Sequence, residues 1–135
     1  MANEPPPSPH DKLILVIDDD DNMRAILTMC LTMEGFEVVT AVDGIDAAAK
    51  IEKKLPHLII CDLVMPGQGG FDFLRLLSGS AAGRVPVFII SGNSLDPAAI
   101  NALKSETGAV EFFKKPIAGD ALTAAVHRRL KTARA

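Results

Sequence analysis

The segment LILVIDDDDNMR, Leu13 to Arg24, decides how the chain is read. Five apolar, mostly branched residues run directly into four consecutive carboxylates, Asp18 to Asp21. The first half has the composition of a strand buried on both faces. The second half collects like charges that oppose one another's ionisation. A chain keeps such a cluster at the end of a buried segment when something positive is bound there, and oxygen-only ligands suit Mg²⁺ or Ca²⁺.

Working outward, short β-branched runs recur at Glu37–Ala41, Leu58–Cys61, Val85–Ile90 and Val110–Phe113. Between them lie stretches with helical spacing. Asn22 to Glu34 places Met23, Ile26, Leu27, Cys30 and Leu31 on one face, with Asp21 as its cap and Gly35 as its stop. Ile45 to Leu55 carries Ile45, Ala48, Ala49 and Ile51 and ends at Pro56. Phe71 to Ser78 carries Phe71, Leu74 and Leu77. A fourth helix starts at Asp96-Pro97, and Ala118 to Lys131 stripes Ala118, Leu122, Val126 and Leu130. Five strands alternating with five helices predict an α/β fold, a doubly wound, flavodoxin-like three-layer sandwich around one five-stranded parallel sheet.

At 135 residues the chain fits one domain, and 18 of its apolar residues are alanine, so the core is lighter than the 48% hydrophobic content suggests. The expected organisation is a flexible Pro-rich tail over 1–11, the folded domain over 12–131 and a short tail over 132–135. A net charge of −3 argues against a general nucleic-acid binder. The two cysteines, Cys30 and Cys61, read as small buried hydrophobes. Neither a secretory signal nor a membrane span is legible, so the expected location is cytoplasmic.

Ligands of such sheets bind beyond the carboxyl ends of the strands. Chemistry-bearing residues sit where that rule asks: Asp18 and Asp19 after the first strand, Asp62 after the third, Ser91 and Gly92 after the fourth, Lys115 and Pro116 after the fifth. An exposed Asp beside a divalent cation can accept a phosphoryl group, with Lys and Ser as donors to its oxygens. His10, His57 and His127 lie away from these ends and show no ligand spacing.

Taken in order, VIDDDD, CDLVMPGQGG, IISGN and FFKKP resemble the receiver domain of two-component response regulators over roughly Lys12 to Lys131. The resemblance implies Asp62 as phosphoacceptor, with Lys115 and Ser91 assisting it catalytically. It implies Mg²⁺ held by Asp18, Asp19, Asp62 and the Val64 carbonyl, and a switch made of Ser91 and Phe112. A cis Lys115–Pro116 bond is expected with it. The run of four Asp leaves Asp19 and Asp20 as an alternative pair. Implied partners are a histidine kinase or histidine phosphotransfer protein and a downstream protein or output domain, with no direct nucleic-acid or membrane binding. A phosphorylation-dependent homodimer would use the same switching surface. Departures from the common pattern are Val64, Gly69 and Ser91 in place of the more frequent Thr.

Two other functions compete. A haloacid-dehalogenase-type phosphohydrolase would use Asp18 as nucleophile with Asp20, but leaves Asp62 unexplained and lacks a cap insertion. A receiver-like adaptor would work by binding alone.

Overall fold

The computed structural model describes residues 8–63, 70–80, 83–92 and 96–133; side chains at 70–72 and 78 lie outside that description. After a 3-10 turn over Pro9–Asp11, inside the segment read as a tail, the elements alternate strictly. They are β1 (Leu13–Ile17), α1 (Asp21–Met33), β2 (Glu37–Ala41), α2 (Gly44–Lys53), β3 (Leu58–Asp62), α3 (Gly70–Ser78), β4 (Val87–Ser91), α4 (Pro97–Thr107), β5 (Ala109–Lys114) and α5 (Gly119–Leu130). The sheet is parallel throughout, in the order β2-β1-β3-β4-β5.

Why the central strands are continuous apolar runs follows from the two layers that cover them. Leu15, Ile17, Ile59, Cys61, Val87 and Ile89 point to one face and meet Ala47, Phe73, Leu74, Leu77 and Leu103 of α2, α3 and α4. Their neighbours Ile14, Val16, Leu58, Ile60, Phe88 and Ile90 point to the other and meet Leu27, Leu31, Leu122, Ala125 and Val126 of α1 and α5. Truncating a fully buried member such as Ile60 or Leu31 to Ala costs about 2–5 kcal/mol.

Helices α1, α2 and α4 begin on carboxylates. Asp20 accepts from Asn22 N at 3.0 Å, Asp43 from Asp46 N at 2.8 Å and Asp96 from Ala99 N at 2.7 Å, each satisfying a first-turn amide. The cap of α1 is therefore Asp20 rather than Asp21, which is the first helical residue. Gly108 closes α4 in the left-handed region at φ 70°, where a glycine carries no Cβ penalty.

Two helix faces differ from the expectation. On α1, Ile26 projects into solvent, 51% exposed, while Leu27 and Leu31 carry the packing. On α2 the residue against the sheet is Ala47, and Ile45 is 71% exposed. An alanine-rich helix has little contrast in its apolar period, so the larger Ile45 dominates the pattern although the small Ala47 makes the contact. The fourth strand starts at Val87 instead of Val85, because Pro86 has no N–H to give the ladder.

Candidate functional site

Register builds the site. Ile17 pairs with Ala41 and with Cys61, so Asp18 and Asp62 emerge level with each other from adjacent strands. Asp62 pairs with Ile90 and Ser91 with Lys114, which brings Ser91 and Lys115 to the same edge. The Lys115 amide then donates to the Ser91 carbonyl at 2.8 Å.

Asp18, Asp19 and Asp62 each contribute a carboxylate oxygen, and these atoms lie within 4.8 Å of one another. Asp18 and Asp62 are buried and Asp19 is exposed. Of the two registers open in the run of four, the structure assembles Asp18 with Asp19; Asp20 turns away to cap α1. Lys115 Nζ donates to Asp62 Oδ2 at 3.1 Å and forms an ion pair with Asp18 Oδ2 at 3.4 Å. That second contact lacks hydrogen-bond geometry, so the Oδ2 atom of Asp18 is buried without a hydrogen bond, while its Oδ1 accepts from Asp20 N at 3.0 Å.

Electrostatics follow from this crowding. Burial, with the nearby Asp62 charge, raises the Asp18 carboxyl above its ordinary value, although the Asp20 amide and Lys115 oppose the shift. Burial works to lower Lys115, but its hydrogen bond to Asp62 and the field of Asp18 outweigh it and hold the ammonium more firmly than usual. Burial beside Asp62 and Asp18 also pushes the Cys61 thiol up, so it is an inert packing group. Three carboxylates facing one ammonium leave negative charge uncompensated. Arg24 does not relieve it, since its guanidinium is engaged by the Asp18 backbone carbonyl at 2.7 Å and by the Asp21 carboxylate.

The donor set fits a hard divalent cation. All three donors are carboxylate oxygens, and the buried Asp18 Oδ2, which has the Lys115 ion pair but no hydrogen bond among the described residues, keeps lone-pair capacity that a cation would use. Ser91 is buried at the end of β4. Gly92 follows it with nothing within 4 Å of where a Cβ would stand, so no packing contact requires glycine there. Phe112 is half-buried against the α2–α3–α4 core layer, with Lys104 Nζ 6.0 Å from its ring centre. The Lys115–Pro116 bond is cis. Val64 lies outside the described residues.

Residues 14–127 match the family model described as the response regulator receiver domain. The chain belongs to that family. It is a receiver domain of two-component systems, a signalling switch. Relatives include DctD of Pseudomonas aeruginosa, a C4-dicarboxylate transport transcriptional regulatory protein, 35% identical over 90% of this chain and 26% of that protein. The DNA-binding response regulator MtrA of Mycobacterium tuberculosis is 32% identical over 87% of this chain and 50% of its own length. The receiver thus spans about half, or less, of these relatives. Among solved structures, the chemotaxis protein CheY4 of Vibrio cholerae superposes with a TM-score of 0.81 at 28% identity, covering 88% of this chain and 98% of that one. Among the described residues no helix is long and apolar enough to cross a membrane.

His127 is the polar feature that spacing did not reveal. It is buried, with Nε2 2.8 Å from Glu34 Oε1, Nδ1 2.6 Å from Thr132 Oγ1, and its ring against Phe36. It ties α5 to the end of α1 and takes no part in the strand-end cluster.

Proposed function

We propose that this receiver accepts a phosphoryl group on Asp62 from the phosphohistidine of a histidine kinase or histidine phosphotransfer protein. The observation that carries this is the meeting of three carboxylate oxygens within 4.8 Å, with Lys115 hydrogen-bonded to Asp62 and ion-paired with Asp18. Mg²⁺ held by Asp18, Asp19, Asp62 and the Val64 carbonyl would supply charge neutralisation for the phosphoryl oxygens.

The chain's own residues then do the rest. An Asp62 carboxylate oxygen attacks phosphorus, the phosphorus–nitrogen bond breaks, and its electron pair stays on the departing imidazole. Asp62 becomes an acyl phosphate. Lys115, which bonds Asp62 Oδ2 before transfer, passes its donors to a phosphoryl oxygen, and the Ser91 hydroxyl donates to another. Chemistry of this kind is mostly positioning and charge stabilisation.

The doubly charged product draws Ser91 inward, and Phe112 follows into the room that Ser91 vacates. This biases a two-state equilibrium of the surface made by α4, β5 and α5. Moving that equilibrium from almost all of one state to almost all of the other takes about 5.5 kcal/mol of differential interaction. A downstream protein or output domain, or a second phosphorylated copy, reads the surface in a cytoplasmic setting.

The test is intact mass after incubation with acetyl phosphate and Mg²⁺, with borohydride trapping to map the label. A gain of one phosphoryl group on Asp62, absent without Mg²⁺, is expected. A label on Asp18 would favour a hydrolase, and no transfer from either acetyl phosphate or a phosphorylated histidine phosphotransfer domain would favour an adaptor.

A further inference from the structure

The run Asp18 to Asp21 offers a cation more than one adjacent pair of identical side chains. Some other group has to hold the backbone so that Asp18 and Asp19, and not Asp19 and Asp20, turn toward Asp62. Arg24 touches both ends of the run. Its Nη1 donates to the Asp18 backbone carbonyl at 2.7 Å, and its Nη2 is bonded to the Asp21 carboxylate. Its own amide donates to the Asp20 carbonyl at 3.0 Å.

The position suits the task. Arg24 is the fourth residue of α1, and long helical side chains lean back toward the N-terminus. A side chain there lies over the turn that leads into the helix. The guanidinium is planar and carries its donors in a fixed fork. Gripping the Asp18 carbonyl with one nitrogen and Asp21 with the other therefore sets the peptide between Asp18 and Asp19 against the axis of α1. The Arg24 side chain is 16% exposed and that of Asp21 89%. An ion pair to so exposed a partner contributes little by itself, so the part-buried bond to the carbonyl is the constraining one.

The other bonds of this turn are local. Asp18 Oδ1 accepts from Asp20 N and Asp20 Oδ1 from Asn22 N, each at 3.0 Å. Any Asp can bond the amide two residues on, so these bonds support a register without choosing one. A slip by one residue would bring a different carbonyl under the guanidinium, and that contact does choose.

We propose that Arg24 is a positioning residue that fixes the register of the aspartate run and aims Asp18 and Asp19 at the cation site. The inference rests on the reading of Asp18, Asp19 and Asp62 as Mg²⁺ ligands, and it adds the group that orients two of them.

Charge and positioning predict opposite signs, which makes the test sharp. The guanidinium is a cation beside three carboxylates, so by charge alone its removal tightens Mg²⁺ binding, and Arg24→Lys changes nothing. Positioning predicts weaker binding in both variants. The measurement is isothermal calorimetry of Mg²⁺ binding to the full chain, with circular-dichroism melts without Mg²⁺ to establish that each variant is folded. Arg24→Met keeps an unbranched stem without donors and should bind about tenfold more weakly, the low end of what losing an outer-shell partner does to a metal site. Arg24→Lys keeps the charge but not the fork, and should bind about threefold more weakly. At saturating Mg²⁺ the labelling of Asp62 by acetyl phosphate should return to the parental rate, because Asp62 and Lys115 are untouched.

An Arg24→Met affinity equal to the parent's or tighter overturns the inference. If that variant does not fold, Arg24→Lys decides, and parental affinity there overturns it equally. A parent that binds no Mg²⁺ overturns the reading of the cluster as a metal site and the inference with it; a parent that binds, beside variants that bind as well, overturns the inference alone.

Discussion

At the amino end of the sheet, buried and half-buried polar groups find partners inside the chain. His127 holds Glu34 and Thr132, and His57 Nδ1 accepts from the Leu13 amide at 3.0 Å. Lys54 reaches Glu37. At the carboxyl end, Asp18 and Asp62 share the Lys115 ammonium with Asp19 close by, and among the described residues a buried oxygen of Asp18 lacks a hydrogen bond. The same strands connect both ends, so the contrast is not one of packing quality. Among the described residues, the amino end pairs its polar groups within the chain, while the carboxyl end gathers carboxylates that a bound cation would neutralise. Buried polar groups without partners cost free energy, and a fold keeps them where that cost is recovered in function.

Exchanging single residues between the two roles separates them. The largest effect expected is from Asp62→Asn, which should remove acyl phosphate formation completely while the protein melts no lower than the parent without Mg²⁺. Intact mass and a thermal melt on the same sample check both halves. His127→Ala should do the reverse. It deletes a buried ring and both its hydrogen bonds, at about 2–4 kcal/mol of stability measured by urea unfolding, and it should leave Mg²⁺-dependent labelling of Asp62 intact.

Asp18→Asn sharpens the point with a change of sign. Replacing the buried carboxylate by an amide relieves the repulsion with Asp62, so the metal-free variant should be more stable by about 1–2 kcal/mol. The stabilisation that Mg²⁺ gives the parent should be absent from it. A variant less stable than the parent without Mg²⁺ would mean that the carboxyl end is also satisfied by folding.

The smallest effect belongs to pH at the amino end. Burial, together with Lys12 and Lys54, lowers the His57 imidazole below its ordinary value. The neutral ring is the form that accepts the Leu13 amide. A base with a depressed folded value adds stability that is complete above its unfolded value, near 6.5, and is lost as pH falls through the folded one. The parent should therefore lose stability on the acid side of pH 6.5, and His57→Gln should show a shallower loss in melts at pH 7.5 and 5.5.

Much of this was legible along the chain. The bounds of β1 and β2 are those of the apolar runs, and the strand-end rule alone places Asp18, Asp62, Ser91 and Lys115 at one edge of the sheet. Local patterns carry that information because a parallel strand announces itself within five residues. What escaped depends on distance or on small side chains. His127 and Glu34 are 93 positions apart, and a lone His in a helix carries no mark of its partner. Asp20 and Asp21 are both capping residues by type, and only backbone geometry chooses between them. Ala47 buries itself on α2 while Ile45 does not, because close approach of helix to sheet favours the smaller side chain.

The hydrogen bond from the Lys115 amide to the Ser91 carbonyl gives the site a mechanical property. The two residues proposed to grip the phosphoryl oxygens hang from one strut between β4 and β5, so they have a single lever arm rather than two. Under the proposed reaction, a pull on either would pass into β5, where Phe112 sits three residues upstream, so that chemistry at one atom would bear on a whole strand edge.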